Sequence, residues 1–257
     1  MKTKRFILLV IMAVFTLPAI SDVLQYRIED GHATVDYCPN WYSESVEIPS
    51  EIESNGKKYP VTSIGRSAFH SCSKLPSVTI PNSVTSIGSA AFRGCSSLTS
   101  IDIPNSVQII GDEAFWGCSG LTAICIPECV TSIESETFYE CSGLTSVNIG
   151  NLVTSIGTFA FYNCSSLTSI DIPNSVLTIG KSAFENCSSL TSVIIGNSVT
   201  SIGSRAFCGC SSLRNIDIPN SVQTIGEEVF YYCSGLTSIT IPNSVTSIEK
   251  STFIGCI

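Results

Sequence analysis

The apolar residues of this chain recur with a period of 23. From Val61 onward the pattern V-x-x-I-x-x-x-x-F-x-x-C-x-x-L-x-x-I/V-x-I-P/G repeats without an insertion, and its phenylalanine column runs Phe69, Phe92, Phe115 and on to Phe253. An isoleucine column runs from Ile64 to Ile248, and a leucine column from Leu75 to Leu236. A unit this small cannot bury its own apolar side. Stacked units share a continuous core, so the period predicts a solenoid of nine coils.

Inside a coil the periodicity changes. Leu98-Thr99-Ser100-Ile101-Asp102-Ile103-Pro104 alternates, which predicts a strand with Ile101 and Ile103 inward and Ser100 and Asp102 outward. Equivalent strands of successive coils then lie in parallel, about 4.8 Å apart. Pro104 cannot donate to a ladder and Asn105-Ser106 favours a turn, so the strand ends there. Val107 to Ile110 predicts a second short extended piece. In Gly111 to Cys118, Ala114, Phe115 and Cys118 share one helical face, which predicts one or two helical turns closing the coil.

Ahead of the repeats, Tyr26, Ile28, Ala33, Val35 and Tyr37 alternate around Asp30-Gly31, a hairpin signal. Val46-Glu47-Ile48-Pro49 reads as the first repeat strand. Asn55-Gly56-Lys57-Lys58 reads as a loop in place of the usual tight turn. Residues 22–60 are therefore expected to cap the first coil's open edge, with residues 61–257 forming the repeats. The last coil stops at Gly255-Cys256-Ile257 without a further strand or polar cap, which leads to the expectation of either a docked end or a longer parent chain.

At the other terminus Lys2, Lys4 and Arg5 precede an apolar run over residues 6–15, too short to span a bilayer. Pro18 follows, and Ala19 and Ser21 are suitably small for cleavage before Asp22. Residues 1–21 are thus expected to be a signal peptide, and the chain to be secreted or displayed at the cell surface. No second long apolar segment exists, so no membrane-spanning segment is expected after cleavage.

Composition narrows the partners. With 44% hydrophobic and 13% charged residues the chain has apolar material enough to fold. Its net charge is −8, and loss of Lys2, Lys4 and Arg5 with the leader makes it −11. A nucleic acid or an anionic membrane is therefore not an expected partner.

Nine of the thirteen cysteines, from Cys72 to Cys256, keep the 23-residue step. Export invites a disulfide framework. Residues in register on adjacent coils, however, have nearly parallel Cα–Cβ vectors and Cβ atoms about 5 Å apart, outside the ~3.5–4.5 Å of a bridge. The column is expected to be reduced core packing. A ladder also spreads its sulfurs along a line, where a metal needs ligands converging on a point, so no metal site is expected. Off the ladder, Cys125 and Cys129 flank the Ile126-Pro127 strand end and could bridge across it, Cys208 precedes Cys210, and Cys38 has no obvious partner. Exposed or half-buried thiols without a role are the simplest reading of all four.

Catalysis needs a base, a nucleophile and a positioning group brought together. The only histidines are His32 and His70, and the repeated serines, such as Ser96-Ser97, belong to turns. Gly88 and Gly111, each after a buried isoleucine, relieve a tight bend rather than cradle a phosphate. Neither an enzyme nor a cofactor is expected.

Two outward columns remain as candidate contact surfaces. The strand-face column includes Asp102, Cys125, Asn148, Asp171, Ile194 and Asp217 between small flanking residues; it is either a shallow face for a protein or cation, or simply a soluble sheet face. The column one residue after each phenylalanine places Trp116, Tyr139 and Tyr162 on consecutive coils, with rings expected about 5 Å apart. Aromatic clusters anchor protein or sugar partners, but large rings also serve to cover a coil.

The stretch SVTSIGSAAFRGCSSLTSIDIPN, residues 83–105, is very similar to the BspA-like class of bacterial leucine-rich repeats. Almost every column agrees from Val61 to Ile257, and the N-terminal module resembles that family as well. The resemblance implies an α/β repeat solenoid: a right-handed leucine-rich repeat superhelix with parallel β-strands, short helical turns and an N-terminal β-hairpin cap. It also implies a bacterial surface or secreted adhesion protein, non-catalytic, that attaches to host extracellular matrix or cell-surface proteins. Two other readings stay open: a structural spacer within a larger surface protein, and a glycan-binding module using the aromatic stripe.

Overall fold

The structure, a computed structural model, describes residues 23–256. The expected signal peptide and its cleavage point before Asp22 lie outside the described residues.

The cap begins with strands β1 (Gln25–Glu29) and β2 (His32–Tyr37), paired antiparallel with Ile28 opposite Ala33 and Glu29 opposite His32. Asp30 and Gly31 between them both have positive φ, 51° and 84°, the turn geometry whose twist matches that of the strands. Strand β3 (Val46–Glu47) runs parallel to Ser77–Thr79, with Val46 opposite Val78, as a first repeat strand should.

The segment that follows departs from expectation. Instead of a loop, β4 (Glu51–Ser54) and β5 (Lys57–Ile64) form a second antiparallel hairpin closed by Asn55-Gly56, with φ of 53° and 72°. Asn-Gly is a strong signal for such a turn. The charged residues Glu51, Glu53, Lys57 and Lys58 around it break the apolar alternation by which strands are read. Strand β5 continues through residue 60, and its end pairs in parallel with β2 on one side and with Ser86–Ile87 on the other. Cap and repeats therefore share one ladder.

Most coils contribute two extended pieces, though towards the C-terminal end the first is reduced to an isolated Asp217–Thr240 bridge and the second is not formed beyond Thr224–Ile225. The first ladder stacks Ser77–Thr79 on Ser100–Asp102, and Ser169–Ile172 on Ser192–Ile195, residue against residue 23 positions on. The second stacks Ile64, Ile87 and Ile110, and then Ile133, Ile156, Ile179, Ile202 and Ile225. Between these ladders lies the core, where the phenylalanine rings from Phe69 to Phe253 stack nearly parallel, with centroids 5.0 Å apart at Phe69–Phe92 and 5.9 Å at Phe207–Phe230. A single parallel-strand solenoid results.

The expected helical turns are absent among the described residues, and the reason is visible in the hydrogen bonds. In Gly111 to Cys118 only alternate N–H groups bond locally: Ala114 to the Gly111 carbonyl at 3.2 Å, Trp116 to Glu113 at 3.0 Å and Cys118 to Phe115 at 3.1 Å. The intervening N–H groups of Glu113, Phe115 and Gly117 donate to the next coil, at Ser135, Thr137 and Tyr139. An α-helix would consume every donor within its own segment. Left-handed φ at Glu113 (57°) and Gly117 (68°) turns half of them along the solenoid instead. The same two positions, before and after phenylalanine, are left-handed in every coil, at about 1 kcal/mol or more for each non-glycine residue. The ladder bonds between coils offset that strain.

Candidate functional site

The closing turns place the residue after each phenylalanine outward, and there the aromatic column comes together. Trp116 and Tyr139 lie 4.2 Å apart between ring centroids, tilted by 33°; Tyr139 and Tyr162 lie 4.7 Å apart at 12°. The rings are half-buried, and their faces are covered by each other. Phe159 sits edge-on to both Tyr139 and Tyr162, at 6.3 and 5.6 Å. Sequence reading missed Phe159. The available signal was an aromatic two residues before the core phenylalanine, where other coils carry Ser, Ala, Arg or Glu.

Charged groups bracket this four-ring patch. On one side the Arg93 guanidinium lies 4.2 Å over the Trp116 ring and pairs with Glu113. On the other the Asn186 amide donates to the Tyr162 hydroxyl at 3.3 Å. One coil further, Arg205 grips Glu185 with two hydrogen bonds, 3.1 Å from Nε and 2.7 Å from Nη2, and reaches Glu228 at 2.8 Å. Beside Trp116, burial raises the Glu136 carboxyl, and the nearby Glu113 and Asp112 push it the same way against Arg93. Tyr139 is also raised, by burial and then by Tyr162. The arrangement is an aromatic centre with a charged rim.

The strand-face candidates are less united. Asp102, Asn148, Asp171 and Asp217 are all exposed. Asp102 and Asn148 border a shallow groove of about 460 Å³ whose floor carries Cys125, and the Asn148 amide lies 3.5 Å from the Cys125 sulfur. Asp171 pairs in register with Ile194, and Asp217 bridges to Thr240, both outside that groove. Among the described residues no group of three metal-binding side chains converges.

The ladder cysteines from Cys95 onward pack against the core as free thiols, and each does something the sequence does not announce. Cys95 donates to the Phe69 carbonyl, Cys118 to Phe92 and Cys141 to Phe115, all at 3.1 Å, and the series continues to Cys256 on Phe230 at 3.2 Å. Burial pushes the Cys141, Cys187 and Cys233 thiols up to about 12. Cys125 and Cys129 are exposed and unbridged. Cys208 and Cys38, by contrast, are buried, which corrects their reading as exposed or half-buried thiols. Cys208 is buried near Arg205 and Glu185, and burial followed by Glu185 raises it to about 11.

The sequence signature described as BspA type leucine rich repeat region matches residues 62–174 and 131–257, in 6 copies. Among solved structures, the leucine rich repeat protein TpLRR of T. pallidum is similar with 30% identity and a TM-score of 0.68, over 77% of this chain and 90% of its own. A leucine rich cell surface protein of Faecalibacterium prausnitzii shows 26% identity and a TM-score of 0.45, over 91% of each chain. None of the curated proteins matches. Among the described residues no helix is long and apolar enough to cross a membrane.

Proposed function

Since the chain belongs to the BspA-type leucine-rich repeat family, a scaffold fold suited to protein binding, we propose that it is a secreted or cell-surface adhesion scaffold that binds host matrix or cell-surface proteins without catalysis. The observation that carries this reading is the patch of Trp116, Tyr139, Tyr162 and Phe159 rimmed by Arg93–Glu113 and Arg205–Glu185. A partly exposed aromatic centre with a polar, arginine-bearing rim has the anatomy of a protein interface. The polar strand-face column with Asp102, Asn148, Asp171 and Asp217 would offer a second contact surface. The charged and then apolar residues 2–15 support export.

A protein partner fits this patch better than a sugar. Glycans stack on ring faces, and here Arg93 and the neighbouring rings already occupy both faces of Trp116 and Tyr139 and one face of Tyr162, leaving mainly edges and hydroxyls. The test is saturable binding of the chain to immobilised matrix proteins, mucins and bacterial cells, with a W116S/Y139S/Y162S variant in parallel. Binding that the variant loses, uncompeted by free sugar, supports the proposal. Binding to nothing on the panel supports a spacer, and competition by sugar supports a glycan ligand.

A further inference from the structure

Cys38 and Cys72 are both buried at the seam between the cap and the first coil. Two hydrogen bonds define how they meet. In the coils a phenylalanine N–H donates to the next coil's alanine carbonyl, as Phe69 does to Ala91 at 2.7 Å; in the cap it is Cys38 that donates to Ala68, at 2.6 Å. In the coils a ladder thiol meets the previous phenylalanine carbonyl; Cys72 instead meets the carbonyls of Cys38 at 3.6 Å and Pro39 at 3.7 Å. Cys38 therefore stands in the phenylalanine column of the cap. It is not one more rung of the cysteine ladder.

That offset changes the chemistry available. Successive ladder cysteines project in parallel and cannot bring their sulfurs together. Cys38 and Cys72 come from different columns, and their sulfurs converge on one carbonyl, that of Pro39, at 3.9 Å from Cys38 and 3.7 Å from Cys72. Cys38 is raised, first by the neighbouring Cys72 side chain and then by burial, whereas Cys72 is lowered by the Cys38 side chain. The eight later ladder thiols are all raised by burial.

We propose that Cys38 and Cys72 form a disulfide that fastens the cap to the first coil, made during folding by exchange with a small-molecule disulfide such as oxidised glutathione. One of the two cysteine thiolates attacks one sulfur of the oxidant, forming a mixed disulfide and releasing one thiolate. The other cysteine thiol then loses its proton and attacks the protein sulfur of that mixed disulfide, forming the protein disulfide and releasing the second oxidant thiol. Two protein thiols are oxidised and one external disulfide is reduced to two thiols. The exchange belongs to folding because both sulfurs are out of reach of solvent once the cap has docked.

Trypsin separates the two cysteines, one on a peptide of residues 28–57 and the other on residues 67–74, neither with a second cysteine. The full chain is refolded with glutathione disulfide, denatured, alkylated and digested without reductant. The expected result is loss of alkylation at both cysteines and one linked peptide, lighter than the two thiol peptides together by two hydrogens. A Tm that falls on reduction in the wild type, but not in C38S, is expected alongside. Full alkylation of both peptides, or linkage of Cys38 to another cysteine, overturns the proposal. The oxidant is supplied in the test, so the pairing is judged apart from where the protein resides.

Discussion

The Thr137 hydroxyl donates to the backbone carbonyl of Glu134 at 2.8 Å, and five coils further Thr252 does the same to Glu249 at 2.6 Å. In the other coils these two positions are Gly and Ala, or Gly226 and Val229. Glycine there allows close stacking: a Cβ on Gly111 would lie 2.6 Å from the Ser89 nitrogen. A glutamate cannot follow that path, and the second ladder divides into two sheets between Ile109–Ile110 and Ser132–Ile133, one coil step before Glu134. The threonine hydroxyl then takes the carbonyl that the alanine N–H takes in glycine coils, as Ala114 takes Gly111.

A paired exchange should heal this break. E134G with T137A is expected to rejoin the two sheets and raise stability by about 1 kcal/mol. T137A alone removes a hydrogen bond and should lower stability by about 1 kcal/mol. The two changes share one carbonyl, so their effects will not add. Urea midpoints of wild type, single and double variants check this; a double variant no more stable than the wild type would remove glutamate as the cause of the break.

The converse substitution should damage an intact stretch. A Cβ on Gly180 would lie 2.6 Å from the Gly157 carbonyl carbon, which is backbone and cannot turn aside. G180A is expected to cost about 1–3 kcal/mol, the range for overpacking a close-packed interior. A Tm within a degree or so of wild type would show that the coils can part there without loss.

The repeat, its strand and its core columns were legible because they are fixed by the period and by alternation: Phe69 to Phe253 and Ile64 to Ile225 sit where the pattern puts them. The closing turns were not legible. Ala114, Phe115 and Cys118 satisfy helical spacing, but the donors of Glu113, Phe115 and Gly117 are claimed by a coil 23 residues away, a relationship with no local signature. The second hairpin was hidden by charge around Asn55-Gly56. At the candidate site the sequence brought Trp116, Tyr139 and Tyr162 together but missed Phe159, and it grouped Asp102 with Asp171 and Asp217 although several coils separate them. Cys38 acquired its neighbour only when the cap was folded onto Ala68.

The Arg205 cluster should behave as a structural clamp at one rim of the aromatic patch. The Glu185 side chain is 8% exposed and is held by both ends of the Arg205 fork. R205A leaves that carboxylate buried without its partner, and because Arg205 itself is 39% exposed the loss is expected to be screened to about 1–2 kcal/mol. R205K should recover little of it, since an ammonium cannot reproduce the paired geometry. Denaturation midpoints of the two variants decide the point: full recovery by lysine would reduce the clamp to simple charge.

The cysteine column should make the fold sensitive to alkali. Cys141, Cys187 and Cys233 are raised to about 12 by burial, whereas unfolded cysteine titrates near 8.5. Between those values the unfolded chain releases protons that the folded chain retains, so the unfolded state binds fewer protons and stability falls as pH rises. This contribution is complete below about pH 8 and disappears progressively from about pH 8.5 to 12. Urea midpoints in reducing buffer should be flat through neutral pH and decline from about pH 9. Replacing Cys141, Cys187 and Cys233 together by alanine should lower the neutral midpoint, through lost packing and lost thiol bonds to the phenylalanine carbonyls, and should flatten the alkaline decline. Wild type and variant declining in parallel would leave Cys141, Cys187 and Cys233 without a share in the alkaline sensitivity.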